Sequence, residues 1–178
     1  MTQFTITSKI KKITIIGCAG AGKSTLATKL SLITKLPLFH LDKEYFGKNW
    51  QKPDKEAFKS RLDEIINKDE WIIDGNYYSY LDQRLKLVDL VIFLNVPSYI
   101  CFFRALKRMI LPKYKSRKDM AEGCFERFDL NFLKYILTYD KKMKPKVLEV
   151  LKKHENVKII SIKNDKDIES LLNNCENV

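Results

Sequence analysis

The sequence predicts a three-layer α/β fold around a five-stranded parallel sheet. Short apolar runs alternate with helical stretches along the 178 residues, and connections of this length favour parallel pairing through crossovers over hairpins. A complete G-x-x-x-x-G-K-[ST] sequence, Gly17-Cys18-Ala19-Gly20-Ala21-Gly22-Lys23-Ser24, lies where the first strand meets the first helix. The length suits one well-buried domain, residues 1–178, and is short for two.

Residues 1–10 are polar and β-branched without a clear period and read as a lead-in. Residues 12–16 (Lys-Ile-Thr-Ile-Ile) then form a short buried strand, and 24–35 place Leu26, Leu30 and Ile33 at helical spacing. In the loop between them, glycines let successive N–H groups turn toward phosphate oxygens, and the helix N-terminus adds partial positive charge. Residues Gly17, Cys18, Ala19, Gly20, Ala21, Gly22, Lys23, Ser24 and Thr25 are therefore the expected binding site for a nucleoside triphosphate, ATP. Lys23 would reach the β- and γ-phosphates. Ser24 would offer its hydroxyl to Mg2+, a cation that needs hard oxygen ligands.

Residues 37–42 predict a second strand ending on Asp42. Strand ends in open α/β sheets are where ligands gather, although an aspartate there also serves as a turn or cap residue. The aromatic stretch Tyr45, Phe46, Gly47 and Trp50 either lines an acceptor pocket or staples the next helix to the core. That helix starts near Pro53-Asp54 and runs to about Asn67 through Ala57, Phe58, Leu62, Ile65 and Ile66. A third strand, Trp71-Ile72-Ile73-Asp74-Gly75, ends on a carboxylate suited to magnesium, and also on an ordinary strand-to-turn signal. A short helix over 81–87 carries Gln83 and Arg84. The run 89–97 is a fourth strand, unbroken apolar from Leu90 to Leu94, as strands buried on both faces of a parallel sheet are.

A helix over 97–110 follows, with proline tolerated in its first turn, and puts Arg104 and Arg108 on one face at i and i+4. Those arginines precede a basic, proline-interrupted stretch, and the region 111–125 reads as a lid closing on phosphates. An aromatic-rich helix over 125–143, a helix over 145–153, a strand over 157–162 and a last helix over 165–172, capped by Asn164 or Asp165, complete the chain.

The formal charge of +11 arises from 33 Lys and Arg against 22 Asp and Glu, and favours anionic partners such as nucleotides, phosphorylated metabolites or nucleic acid. Seven basic residues and one acidic lie between Arg104 and Asp119, so over half of the excess is local. DNA is the alternative partner, without any base-reading motif in the chain to support it. No apolar run is long enough to cross a bilayer, and residues 1–11 lack an apolar signal core, so the expectation is a cytoplasmic protein. Cys18, Cys101, Cys124 and Cys175 lack the paired spacing of a zinc knuckle or disulfide framework.

The order of these elements is similar to that of the adenylate kinase-like nucleotide and small-molecule kinases. This resemblance covers nearly the whole chain and implies strand order 2-3-1-4-5. More narrowly, His40-Leu41-Asp42, Trp71-Ile72-Ile73-Asp74-Gly75-Asn76-Tyr77, Leu81-Asp82-Gln83-Arg84-Leu85 and Glu122-Gly123-Cys124 resemble the bacterial DNA topology modulation (FlaR-type) proteins. Adenylate kinases carry arginines seven and eleven residues beyond a Val-Pro pair. Here Val96-Pro97 precedes Arg104 and Arg108 at those offsets. The resemblance implies that Arg104 lies against the adenine and Arg108 near the transferred phosphate. Where adenylate kinases have a Gly-Phe-Pro-Arg turn, this chain has Gly75-Asn76-Tyr77-Tyr78 and lacks the arginine that grips a monophosphate acceptor. The His40-Leu41-Asp42 segment instead resembles hydroxyl-phosphorylating shikimate kinase-like enzymes.

The expected function is thus ATP- and magnesium-dependent phosphoryl transfer to a small molecule, with a nucleotide-gated DNA-binding protein as the other class. The expected catalytic residues are Lys23, Asp42, Arg104 and Arg108. Ser24 and Asp74 are expected at the metal. Asp42, Trp50, Tyr77 and Arg84 are expected to line an acceptor site within residues 40–70 and the neighbouring turn, with Asp42 orienting or deprotonating a hydroxyl.

Overall fold

The computed structural model describes residues 6–51, 54–110, 119–124 and 128–175. Five strands form one sheet in the order β2-β3-β1-β4-β5: β1 (Lys12–Gly17), β2 (Leu38–His40), β3 (Trp71–Asp74), β4 (Leu90–Leu94) and β5 (Lys158–Ile162). Every pairing is parallel. The central strands β1, β3 and β4 are Ile-, Val- and Leu-rich because helices cover both of their faces.

Alternation along the strands sorts side chains into two cores. On one face Ile13, Ile15, Ile72, Leu90 and Ile92 pack under α1 (Lys23–Thr34), α5 (Ser98–Ile110), α6 (Leu130–Lys142) and α8 (Asp165–Asn173). On the other, Ile16, Trp71, Ile73, Val91 and Phe93 pack under α3 (Lys55–Ile66), α4 (Leu81–Leu85) and α7 (Lys144–Lys152). Each fully buried Ile or Leu contributes about 1.5–3 kcal/mol of apolar transfer energy, so the sheet is held from both sides.

Several elements depart from expectation. The second strand stops at His40, and a short helix, α2 (Leu41–Tyr45), begins there, so Asp42 sits in a helical first turn and not at a strand end. The helix expected from 125 starts at Leu130, because the Asp129 carboxylate accepts the Phe132 N–H at 3.0 Å and fixes the helix start. Of the two caps offered for the last helix, Asn164 holds the position, accepting from the Asp167 N–H at 3.0 Å. Most of the expected lid, residues 111–118 and 125, lies outside the described residues, as does Pro53.

The topology also places the site. From β1 the chain leaves toward β2, and from β4 toward β5, so the loops at their carboxyl ends diverge and open a crevice.

Candidate active site

At that crevice lies a cleft of about 1230 Å³. Its floor is the loop between β1 and α1, from Ala19 through Thr25. Gly20 takes φ +87°, and a Cβ there would lie 2.5 Å from the Cys101 carbonyl oxygen of α5, so only glycine lets the loop nest on that helix. The Lys23 ammonium donates to the Cys18 carbonyl at 3.1 Å, folded over the loop it would share with a phosphate. Cys18 contributes backbone alone. Its thiol is buried beside Cys101, which together with desolvation pushes its pKa up.

Strand order divides the cleft. Beyond β4 and β5, α5 supplies Arg104, Lys107 and Arg108, and α8 supplies Asp165, Ile168 and Glu169. Arg104 donates through Nη2 to both Asp165 carboxylate oxygens, at 2.8 and 3.1 Å, which ties α5 to α8. Over β2 and β3 lie His40, Asp42, Asp74, Asn76 and Tyr77, and α6 adds Phe132 and Tyr135 to the lining.

Asp74 ends β3, nearly buried, with Oδ2 at 3.0 Å from His40 Nδ1. Its other oxygen, Oδ1, is buried with no hydrogen-bond partner among the described residues. A buried carboxylate oxygen without a donor is costly unless a ligand completes it. Ser24, half-buried, lines the same cleft. Magnesium is typically held by one or two carboxylates together with phosphates and waters, so Asp74 Oδ1 and the Ser24 hydroxyl fit it. Among the described residues no group of three His, Cys, Asp or Glu forms a dedicated protein cage for a metal.

Asp42 accepts a hydrogen bond from the Tyr77 hydroxyl at 3.0 Å. Burial, with Asp42 alongside, pushes the Tyr77 pKa far up, so the phenol stays a donor at any working pH. Tyr77 is held in a left-handed conformation (φ 35°, ψ 63°) and packs on Tyr45 and Phe58, with ring centroids 5.2 and 5.1 Å away.

Two expected acceptor residues are placed elsewhere. Arg84 is fully buried and does not line the cleft. Its guanidinium donates to Thr14 Oγ1 at 3.0 Å, to the Gly75 carbonyl at 2.9 Å and to the Asn76 carbonyl. Burial pushes its pKa down to about 10, opposed by nearby Asp74, and it remains a cation at neutral pH. The reason is geometric: α4 packs against the sheet, so Arg84 points beneath the turn after β3 and anchors it. Asn76 in turn accepts the Gly17 N–H at 2.9 Å, linking that turn to the phosphate loop.

Trp50 is likewise absent from the cleft lining; its ring packs edge-on against Phe46 at 5.1 Å. Its segment is clamped to the far end of the expected lid. The Asn49 N–H donates to the Glu122 carbonyl at 3.1 Å, the Trp50 N–H to Cys124 Sγ at 3.2 Å, and the Cys124 thiol to the Gly47 carbonyl at 3.5 Å. Asn49 and Trp50 both have positive φ, 57° and 64°, a strained pair that the clamp fixes. Across from them Gly123 has φ +75°, and a Cβ there would lie 2.1 Å from Asn49 Oδ1.

His40, Phe132 and Tyr135 belong to the cleft without having been singled out as site residues. For His40 the signal was its place in His40-Leu41-Asp42. Its link to Asp74 joins positions 34 residues apart, which no local pattern reports.

No protein-family model matches the chain, and no curated protein matches it in sequence. Solved structures do match in fold. A shikimate kinase from Acinetobacter baumannii in complex with shikimate aligns with TM-score 0.55 and 19% identity over 89% of this chain and 88% of that one. A shikimate kinase from Bacteroides thetaiotaomicron aligns with TM-score 0.55 and 17% identity over 94% and 97%. The chain has the P-loop NTPase fold of these kinases, with sheet order β2-β3-β1-β4-β5.

Proposed function

We propose that the protein transfers the γ-phosphoryl group of ATP to a hydroxyl of a small molecule. The observation that carries this reading is the shared cleft: the phosphate loop with Lys23 opens into the same crevice as the carboxylates of Asp42 and Asp74. Phosphoryl transfer demands mainly positioning and charge neutralisation. Loop N–H groups and Lys23 hold the phosphates, while Arg104 and Arg108 offset the charge on the transferred group. Asp42, fixed by Tyr77, accepts the acceptor's hydroxyl proton as its oxygen bonds to the γ-phosphorus and the bond to the bridging oxygen of ADP breaks. Asp74 Oδ1 and Ser24 would hold magnesium, which neutralises phosphate charge when bound. The fold shared with shikimate kinases, one solved with shikimate, supports a small-molecule acceptor.

A cytoplasmic setting belongs to this reading; among the described residues no helix is long and apolar enough to cross a membrane. The narrower likeness to the FlaR-type proteins is part of it too, and adds no chemistry. DNA binding has weaker support. Three members of the basic cluster, Arg104, Lys107 and Arg108, line the cleft and are accounted for by phosphates, while Lys113, Lys115, Arg117 and Lys118 lie outside the described residues.

The test is ATP-dependent phosphorylation of a metabolite library by wild type and Asp42→Asn. Loss of an aligned general base lowers rates by about 10²–10⁴-fold, and full activity of Asp42→Asn on the best substrate would refute the base role. Arg84→Ala does not report on acceptor charge, because Arg84 lies beneath the site.

A further inference from the structure

On the phosphoryl-transfer reading, the half of the cleft over β2 and β3 selects the acceptor, and its chemistry is specific. Two carboxylates face it. Asp42 is held by Tyr77, and Asp74 keeps one buried oxygen without a described partner. In the same cleft, Phe132 and Tyr135 stand one turn apart on α6 with rings inclined by only 19° and centroids 6.4 Å apart. Both are half-buried and line the cleft. The Tyr135 hydroxyl lies near Asn76, which puts the ring beside the turn after β3.

Arg84, the buried cation beneath this half, is turned away from it. All its described hydrogen bonds go to Thr14, Gly75 and Asn76, and none of its surface is exposed. Among the described residues the lysines and arginines lining the cleft come from the phosphate loop, α1 and α5. A carboxylate or phosphate on the acceptor would therefore meet Asp42 with like charge, Asp74 being taken up by magnesium. A flat uncharged ring, by contrast, has a face for the aromatic pair. Volume permits two ligands: about 1230 Å³ exceeds the roughly 300–1,000 Å³ of a site built for one.

We infer that the acceptor is a nucleoside, its base lying on the Phe132–Tyr135 pair and a sugar hydroxyl presented to Asp42. The phosphoryl group of ATP passes to that hydroxyl, whose proton goes to Asp42, yielding a nucleoside monophosphate and ADP. Nucleoside monophosphates and hydroxycarboxylates such as shikimate are poor acceptors on this view.

Calorimetric titration of the full chain, saturated with magnesium and a non-hydrolysable ATP analogue, tests it with adenosine, guanosine, cytidine, uridine, their 5′-monophosphates and shikimate. At least one nucleoside is expected to bind about tenfold or more tightly than its own monophosphate and shikimate, and to be phosphorylated when ATP replaces the analogue. Base–aromatic stacking is worth enough that Phe132→Ala should weaken this binding about tenfold, while Phe132→Tyr restores it and affinity for the ATP analogue stays unchanged in both. Tighter binding of any monophosphate or of shikimate overturns the nucleoside assignment and leaves the kinase reading standing, as does binding of the analogue without binding of any nucleoside. Failure of the analogue itself to bind overturns both.

Discussion

The two halves of the cleft are built by different means. The half proposed for the nucleotide rests on one contiguous loop, completed by two arginines a single helical turn apart. The half proposed for the acceptor is assembled from β2, α2, β3, the turn after it and α6, and is backed by supports outside the cleft lining: Arg84 beneath, and the clamp between residues 47–50 and 122–124. A contiguous site survives in a motif, whereas an assembled one exists only once the fold has formed. The first half is accordingly robust to changes elsewhere, and the second is exposed to them.

The largest effect expected from this difference is at Arg84. Arg84→Met leaves the Gly75 and Asn76 carbonyls without their donor and Asp74 without a nearby buried cation. Removing one member of such a buried charged network costs about 3–5 kcal/mol. A denaturant-unfolding comparison with wild type reads this directly. A midpoint unchanged in Arg84→Met would show that the turn is held by other means.

A matched pair of glycine substitutions separates the halves at smaller amplitude. Gly20→Ala and Gly123→Ala each place a side chain at positive φ, the first against the Cys101 backbone carbonyl and the second against the Asn49 side chain, and such positions cost roughly 1–3 kcal/mol. Gly20→Ala should weaken ATP by tenfold or more while leaving acceptor KM near wild type. Gly123→Ala should raise acceptor KM and spare ATP affinity. Equal damage to both ligands by either variant would show that the halves are one mechanical unit.

How much of this was legible in sequence follows the same division. The loop from Gly17 through Thr25 was legible because its glycines recur at fixed spacing between an apolar strand and a helix. Parallel strands were legible because burial on both faces leaves unbroken apolar runs such as Leu90–Leu94. Arg104 and Arg108 reach the cleft because helical spacing alone fixes their common face. Arg84 misled because a lone arginine beside an expected acceptor site carries no mark of direction; only the packing of α4 decides whether it faces solvent or core. Asp42 kept its place at the cleft although its strand ended early, since strand end and helix first turn lie within two residues. Contacts such as His40 with Asp74, or Trp50 with Cys124, join distant positions and leave no local pattern.

A comparable effect is expected at Tyr77, whose hydroxyl donates the hydrogen bond that holds Asp42. Tyr77→Phe keeps the ring packing and removes one hydrogen bond to a charged group, worth about 1.5–3 kcal/mol. Turnover should fall by tenfold or more and stability by up to the worth of that hydrogen bond, while ATP affinity should change little. A rate equal to wild type would mean that Asp42 is positioned by other groups.

The most direct measurement compares ATP affinity by calorimetry and phosphoryl transfer from labelled ATP, side by side, in wild type, Lys23→Ala and Asp42→Asn. Lys23→Ala is expected to lose both affinity and transfer, because it serves the nucleotide half. Asp42→Asn is expected to bind ATP as wild type does while transfer falls at least a hundredfold, within the range of a lost general base. Unchanged ATP affinity and turnover in Lys23→Ala would contradict the assignment of the cleft.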